Sequence, residues 1–233
     1  MRRISAGMPG GRDLRAIEVG EQLWAIVQSV PESDYGETAL ARGLQNLDWV
    51  GARAIAHERL IECFLSARAL LPMHLFTLFT SDDRVVQHVH SDRARIGRLL
   101  KRVEGKLEWG LRLTFDHRAA RAKVSRRPVS SGTEFLARKR EVLGIDRTRA
   151  KEARRAADTV YRSMSKLATA AQRRTSLEQA ASASRLLLDA AFLVSVGKSG
   201  AFRAAARQRM RDLRPLGLTM SLTGPWPPYN FVE

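Results

Sequence analysis

The chain has 233 residues, 44% of them hydrophobic, with a formal net charge of +16 and one cysteine. The apolar share excludes an unstructured chain, the lone Cys63 excludes an internal disulfide and fits a reducing compartment, and no apolar run approaches the roughly 18 residues of a membrane span. What is left is a soluble cytoplasmic protein of one large or two ordinary domains, whose charge suits an acidic partner such as nucleic acid unless its basic surface is merely solvated.

Residues 1–12 hold three glycines, a proline and three arginines without periodicity and are expected to be disordered. MRRISAG is basic, but no apolar core follows it, so no signal peptide is expected. Residues 14–19 and 22–30 are rich in strand formers and are separated by Gly20 and Glu21, which predicts a hairpin that Pro31 closes. A short helix is expected over residues 35–44. A longer one, capped by Asp48, places Val50, Ala54, His57, Ile61 and Phe64 along one stripe. His57 then reads as a core or boundary histidine, because no nucleophile or carboxylate cluster accompanies it. The apolar run of residues 69–79 suits a central strand, although Pro72 argues for an edge, a bulge or a later start. Ser81 is expected to cap a basic helix with Val85, Val89, Ile96, Leu99 and Val103 buried, and Gly105 to stop it. Residues 106–116 alternate cleanly, with Leu107, Trp109, Leu111, Leu113 and Phe115 on one face. The first domain therefore reads as residues 13–116, an α+β layer compatible with a ferredoxin-like arrangement.

Residues 117–131 carry five basic residues and little apolar material, which marks a basic linker. Residues 117–155 hold 13 Lys and Arg against 4 Asp and Glu, an excess of 9. The second domain is expected over residues 132–223. Its long helical stretch, to residue 171, breaks near Gly144 and keeps Ala153, Ala157, Val160, Met164, Leu167 and Ala171 on a narrow stripe. Residues 185–196, apolar on both faces except for Asp189, read as a central strand. A basic helix follows over residues 201–214, with Phe202, Ala205, Ala206, Met210 and Leu213 inward, and a last strand begins with Leu218, Met220 and Leu222 on one face. Each domain is thus a small mixed sheet with helices packed on it. Gly224 and Pro225 break the final strand, leaving residues 224–233 as a stiff tail bearing Trp226, Tyr229 and Phe231. Such a tail either closes its own domain or docks on a partner.

Catalytic chemistry has no candidate constellation. The Gly197, Lys198, Ser199 run resembles a phosphate loop, but Phe192 occupies the position where the cradle needs a glycine. Of His88, His90 and Asp92, only His88 and Asp92 share a helix face, too few for a metal site. No cofactor is implied.

Several stretches resemble the gas-vesicle GvpL/GvpF family. GPWPPYNFV is similar to the family's closing Gly-Pro-x-Pro-Pro-Tyr-x-Phe segment, and LDWVGARAIAHERLIE to its first-domain helix through Asp48, Trp49, His57 and Glu58. LLPMHLFTLF resembles the following strand, with His74, Leu75 and Phe76 in place of the family's Arg, Phe and Gly. EGKLEWGLRLTFD matches through Gly105, Glu108, Trp109 and Gly110, and SGTEFLARKR through Gly132, Phe135, Leu136 and Arg138 to Arg140. The likeness covers most of residues 47–233. It implies a non-enzymatic, two-domain α+β protein of the cytoplasmic gas vesicle that contacts the small hydrophobic shell subunit and other accessory proteins during assembly. On this reading Trp226, Tyr229 and Phe231 are the candidate contact residues and Arg138, Lys139 and Arg140 an electrostatic guide. The rival reading, from charge alone, is a nucleic-acid-binding or regulatory protein; basicity without a reading module predicts weak, non-specific, salt-sensitive contact with phosphate.

Overall fold

The computed structural model describes residues 7–116, 132–175 and 184–232, with side chains from residue 148 onward in the helix that begins at Gly132. The predicted linker, residues 117–131, lies outside the described residues. Two compact units emerge: Met1–Gly105 together with Pro227–Glu233, and Lys106–Trp226.

The first unit opens with the predicted hairpin, β1 (Arg12–Gly20) against β2 (Leu23–Ser29), antiparallel with Ile17 opposite Ala25. The segment before it, expected to be loose, is held from residue 8: the Met8 amide donates to Gln28 Oε1 at 2.7 Å and the Tyr35 hydroxyl to the Pro9 carbonyl at 2.9 Å. The single helix expected over residues 35–44 is two short ones, α1 (Glu32–Tyr35) and α2 (Glu37–Gly43), separated at Gly36. Asn46, not Asp48, caps α3 (Leu47–Glu62), its side chain accepting from the Asp48 and Trp49 amides. Ser81 caps as expected, accepting from the Arg84 amide, but the helix is interrupted at Asp92 into α4 (Asp82–Ser91) and α5 (Arg93–Val103). Gly105 ends α5 with φ +64°, a left-handed conformation that glycine adopts without a Cβ penalty.

The central strand expected over residues 69–79 does not form. Pro72 has no amide to give a ladder, Phe76 sits at φ +65°, and the Thr77 amide turns back onto the His74 carbonyl. The apolar side chains of this segment pack as a loop instead, with the Phe76 ring stacked on Trp49 of α3 at 5.4 Å.

The second unit is one four-stranded antiparallel sheet in the order β4 (Ala170–Arg173), β5 (Ser184–Ser195), β3 (Lys106–Asp116), β6 (Leu218–Trp226). Here the expected domain boundary is corrected. β3, read as the last strand of the first domain, lies between β5 and β6, so β5 and β6 are not neighbours and the change of unit falls at Gly105. The physical reason is pairing: Trp109, Leu111 and Leu113 stand opposite Phe192, Ala190 and Leu188, and Leu111 and Leu113 also oppose Leu222 and Met220. The α+β class holds, but both sheets are antiparallel rather than mixed, and among the described residues the first unit's sheet is the hairpin, which does not bear out a ferredoxin-like arrangement.

Two helices, α6 (Gly132–Ser165) and α7 (Ser199–Leu213), cover one face of this sheet. α6 runs through Gly144 without the expected break and ends earlier than predicted, because residues 170–173 join the sheet as β4. Its stripe is as read only as far as Met164: Ala153, Ala157, Val160 and Met164 are buried with Phe202, Ala206 and Leu213 of α7 against Trp109, Leu111, Leu113 and Phe115, whereas Leu167 lies beyond the helix at 38% exposure and Ala171 in β4. β6 continues past Gly224 and Pro225 to Trp226, which stands opposite Glu108, so the predicted tail is strand for its first three residues.

Candidate functional site

Of the three aromatic residues singled out in the tail, Trp226 closes β6 and is half-buried. Pro227 and Pro228 are buried, and the chain then makes a 3-10 turn, Tyr229–Phe231, with the Tyr229 amide donating to the Pro227 carbonyl and the Phe231 amide to that of Pro228. A proline-rich stretch has few backbone donors to satisfy, which lets these carbonyls be used locally. Phe231 is 2% exposed and Val232 8%. The Arg102 guanidinium of α5 sits 6.0 Å from the Phe231 ring, and the Tyr229 hydroxyl donates to Glu58 Oε2 of α3 at 2.5 Å. The tail thus closes the first unit, and Phe231 is a core residue there rather than an exposed contact.

Beside Tyr229 lies a cavity of about 270 Å³ bounded by His57 and Glu58 of α3, Met73 and His74 of the irregular segment, and Val232. Burial pushes the His57 imidazole below its ordinary range, so the neutral ring is the form this site accommodates. A second buried polar group lies on the same helix: Arg53 places its guanidinium carbon 3.6 Å from the Trp49 ring centroid and 5.0 Å from that of Tyr35, and its Nε has no hydrogen-bond partner. The His88 ring lies against Phe79, and Asp92 pairs with Arg95. Among the described residues no group of three His, Cys, Asp or Glu converges to hold a metal ion, and no helix is long and apolar enough to cross a membrane.

The surface divides by chemistry in a way composition alone does not reveal. Of eleven exposed large hydrophobic residues among those described, eight belong to the first unit: Trp24, Ile26, Leu44, Leu47, Ile55, Met73, Leu78 and Phe79. Three of these, Met73, Leu78 and Phe79, lie in residues 69–79, where the sequence predicts a buried strand. The first unit carries 14 basic and 14 acidic residues, while Lys106–Trp226 carries 26 Lys and Arg against 10 Asp and Glu, so the whole formal +16 resides in the second unit. On α7, Arg203, Arg207 and Arg211, with Arg214 just beyond, fall at spacings of four, four and three and are all exposed, a basic stripe along one face. Arg138, Lys139 and Arg140 lie on α6, within its residues whose side chains are not described.

The sheet of the second unit has its own charged group. Asp189, the odd polar residue of β5, is buried and receives Arg112 Nε at 3.1 Å and Arg174 Nε at 2.8 Å. Arg112 comes from the adjacent position on β3, so this triad ties strand to strand.

Comparison with known proteins places this arrangement. The chain is 29% identical over 232 residues to gas vesicle protein L of Streptomyces sp. (strain CB03234), covering 96% of this chain and 84% of that protein. Two crystal structures share the fold: gas vesicle protein GvpF from Anabaena sp. PCC7120, at a TM-score of 0.58 and 17% identity over 78% of this chain and 74% of that one, and GvpF from Microcystis aeruginosa, at 0.59 and 12% over 90% and 85%. The family profile described as gas vesicle synthesis protein GvpL/GvpF matches residues 2–233, and the chain belongs to that family.

Proposed function

We propose that this protein is an accessory or minor structural component of the gas vesicle that binds the small hydrophobic shell subunit and assists its assembly in the cytoplasm, together with other accessory proteins. The supporting observation is the concentration of exposed apolar side chains on a first unit with no net charge, above all Met73, Leu78 and Phe79 in the irregular segment at 42%, 43% and 38% exposure. A shell subunit must present apolar surface before it is incorporated, and such surface aggregates unless covered. An uncharged apolar loop covers it without forcing any charge out of water. Tyr229, half-exposed, belongs to the proposed contact of the first unit, where Phe231 anchors the segment that carries it; half-exposed Trp226 is a proposed contact residue of the second unit. Arg138, Lys139 and Arg140 act as the electrostatic guide. The role is binding, with no covalent step.

The test is titration of the full chain with shell subunit. Replacing Leu78 and Phe79 together by Asp is expected to weaken binding at least about tenfold with the circular dichroism unchanged. Unaltered binding by that variant rejects the loop as the contact; no binding by the unmodified chain rejects the function. A second reading, contact with a polyanion, is favoured by one observation, the concentration of charge on the second unit and its arginine stripe.

A further inference from the structure

β2 is an edge strand without the usual protection. Among the described residues its only strand neighbour is β1, and a strand edge with free amides and carbonyls is a template for another strand. Natural edges are blunted with charge, proline or bulges. β1 has them: Arg12, Asp13, Arg15 and Glu18, with both register irregularities of the hairpin along its length. β2 reads Leu-Trp-Ala-Ile-Val-Gln-Ser, with no charge and no proline, and it leaves Trp24 53% and Ile26 40% exposed on one face.

The order of these residues is self-complementary. If β2 meets a second β2 antiparallel about a two-fold axis at Ala25, Trp24 of one copy stands opposite Ile26 of the other, twice, and Leu23 stands opposite Val27, also twice. Aromatic against β-branched is among the favourable cross-strand pairs, and here it falls on the face each copy leaves open. No like charges oppose one another. In the resulting four-stranded sheet each exposed row reads Glu18, Trp24, Ile26, Ala16 across the two copies, with the two glutamates in different rows at opposite edges. We propose that the occupant of this edge is a second copy of the chain, joined through β2 in that register as an isologous dimer.

The contact is small. Five residues of strand span about 17 Å and cover on the order of a few hundred Å² per copy, below what a stable interface uses, so the dimer forms in the micromolar range or weaker and depends on concentration. That suits an association which strengthens where many copies are brought together. It does not depend on the shell-binding reading.

A crosslink reads the register directly. In a Cys63→Ser background, which removes the exposed native thiol, Ala25→Cys places two cysteines at the axis with Cα atoms about 4.5–5.5 Å apart, within disulfide reach. Val27→Cys, half-buried like Ala25 and two positions along, leaves them roughly 13 Å apart along the strands, out of reach. The full chain should give a disulfide dimer with Ala25→Cys and at least tenfold less with Val27→Cys. Sedimentation from about 1 µM to about 1 mM should show a dimer that Ile26→Lys abolishes with unchanged circular dichroism. Equal crosslinking by the two cysteine variants, a monomer at every concentration, or a dimer that survives Ile26→Lys each overturns the proposal. So does a monomer whose binding to shell subunit falls on Ile26→Lys, which gives the edge to a different strand.

Discussion

Asp189 shows how a single residue can hold a sheet together. Its carboxylate is 5% exposed, yet the two guanidinium groups that reach it are 49% and 30% exposed, so the ion triad keeps its cations in partial contact with water. Asp189→Ala should lower the unfolding free energy by about 2–4 kcal/mol, because it removes the anion on which two arginines converge without leaving either cation sealed in apolar surroundings. Urea denaturation checks this; a loss under about 0.5 kcal/mol shows the triad to be incidental. His57 gives a pH dependence of known sign. Burial lowers its folded-state pKa, so when pH falls below about 6.5 the unfolded chain takes up the proton first. The stabilising contribution is complete above that pH and is lost as pH drops toward the folded-state value. His57→Gln should therefore flatten the acid limb of the stability profile between pH 7 and the folded pKa, and an unchanged limb assigns the acid sensitivity to other groups.

At the level of elements, the C-terminal segment has the clearest consequence. Sequence reasoning expected removal of the tail to unfold the second domain or to abolish partner binding. The structure assigns Pro227–Glu233 to the first unit, where Tyr229 bonds to α3 and Phe231 packs below Arg102 of α5. Phe231→Ala should cost about 3–5 kcal/mol, the usual range for emptying a buried aromatic site. Hydrogen exchange locates the loss: amides of α3 and α5 should exchange faster while those of β3 and β5 keep their protection. Faster exchange confined to β3 and β5 would return the segment to the second unit. Residues 69–79 depart from the expected strand for a local reason. Their composition is that of a buried strand, and the absence of an amide at Pro72 together with the positive φ of Phe76 decided for a loop that leaves Leu78 and Phe79 in water.

For the whole molecule, the consequential feature is the division of charge: zero on the first unit and +16 on the second. Like charges four residues apart on α7 work against the helix by about 0.2–0.5 kcal/mol per pair, a modest cost that an anionic surface would reverse. If four phosphates are neutralised by the stripe, affinity for duplex DNA should be weak and fall by roughly two orders of magnitude between about 50 and 200 mM salt. Replacing Arg203 and Arg207 by Glu should reduce that salt slope. A flat salt dependence, or a slope unchanged by the double variant, excludes the stripe as a polyanion surface.

Local pattern alone determined the hairpin of β1 and β2, the alternation of β3, the stripe of α6 as far as Met164, and the caps at Ser81 and Gly105. Each of these depends on neighbours a few residues away, through periodicity, a side-chain cap or a left-handed glycine. Only the tertiary structure decided that β3 lies between β5 and β6, that the last residues close the first unit, and that the basic and apolar surfaces belong to different units. Those outcomes rest on which strand's side chains match across a ladder and which groove takes Phe231, contacts between residues up to about a hundred positions apart or more that no local spacing records.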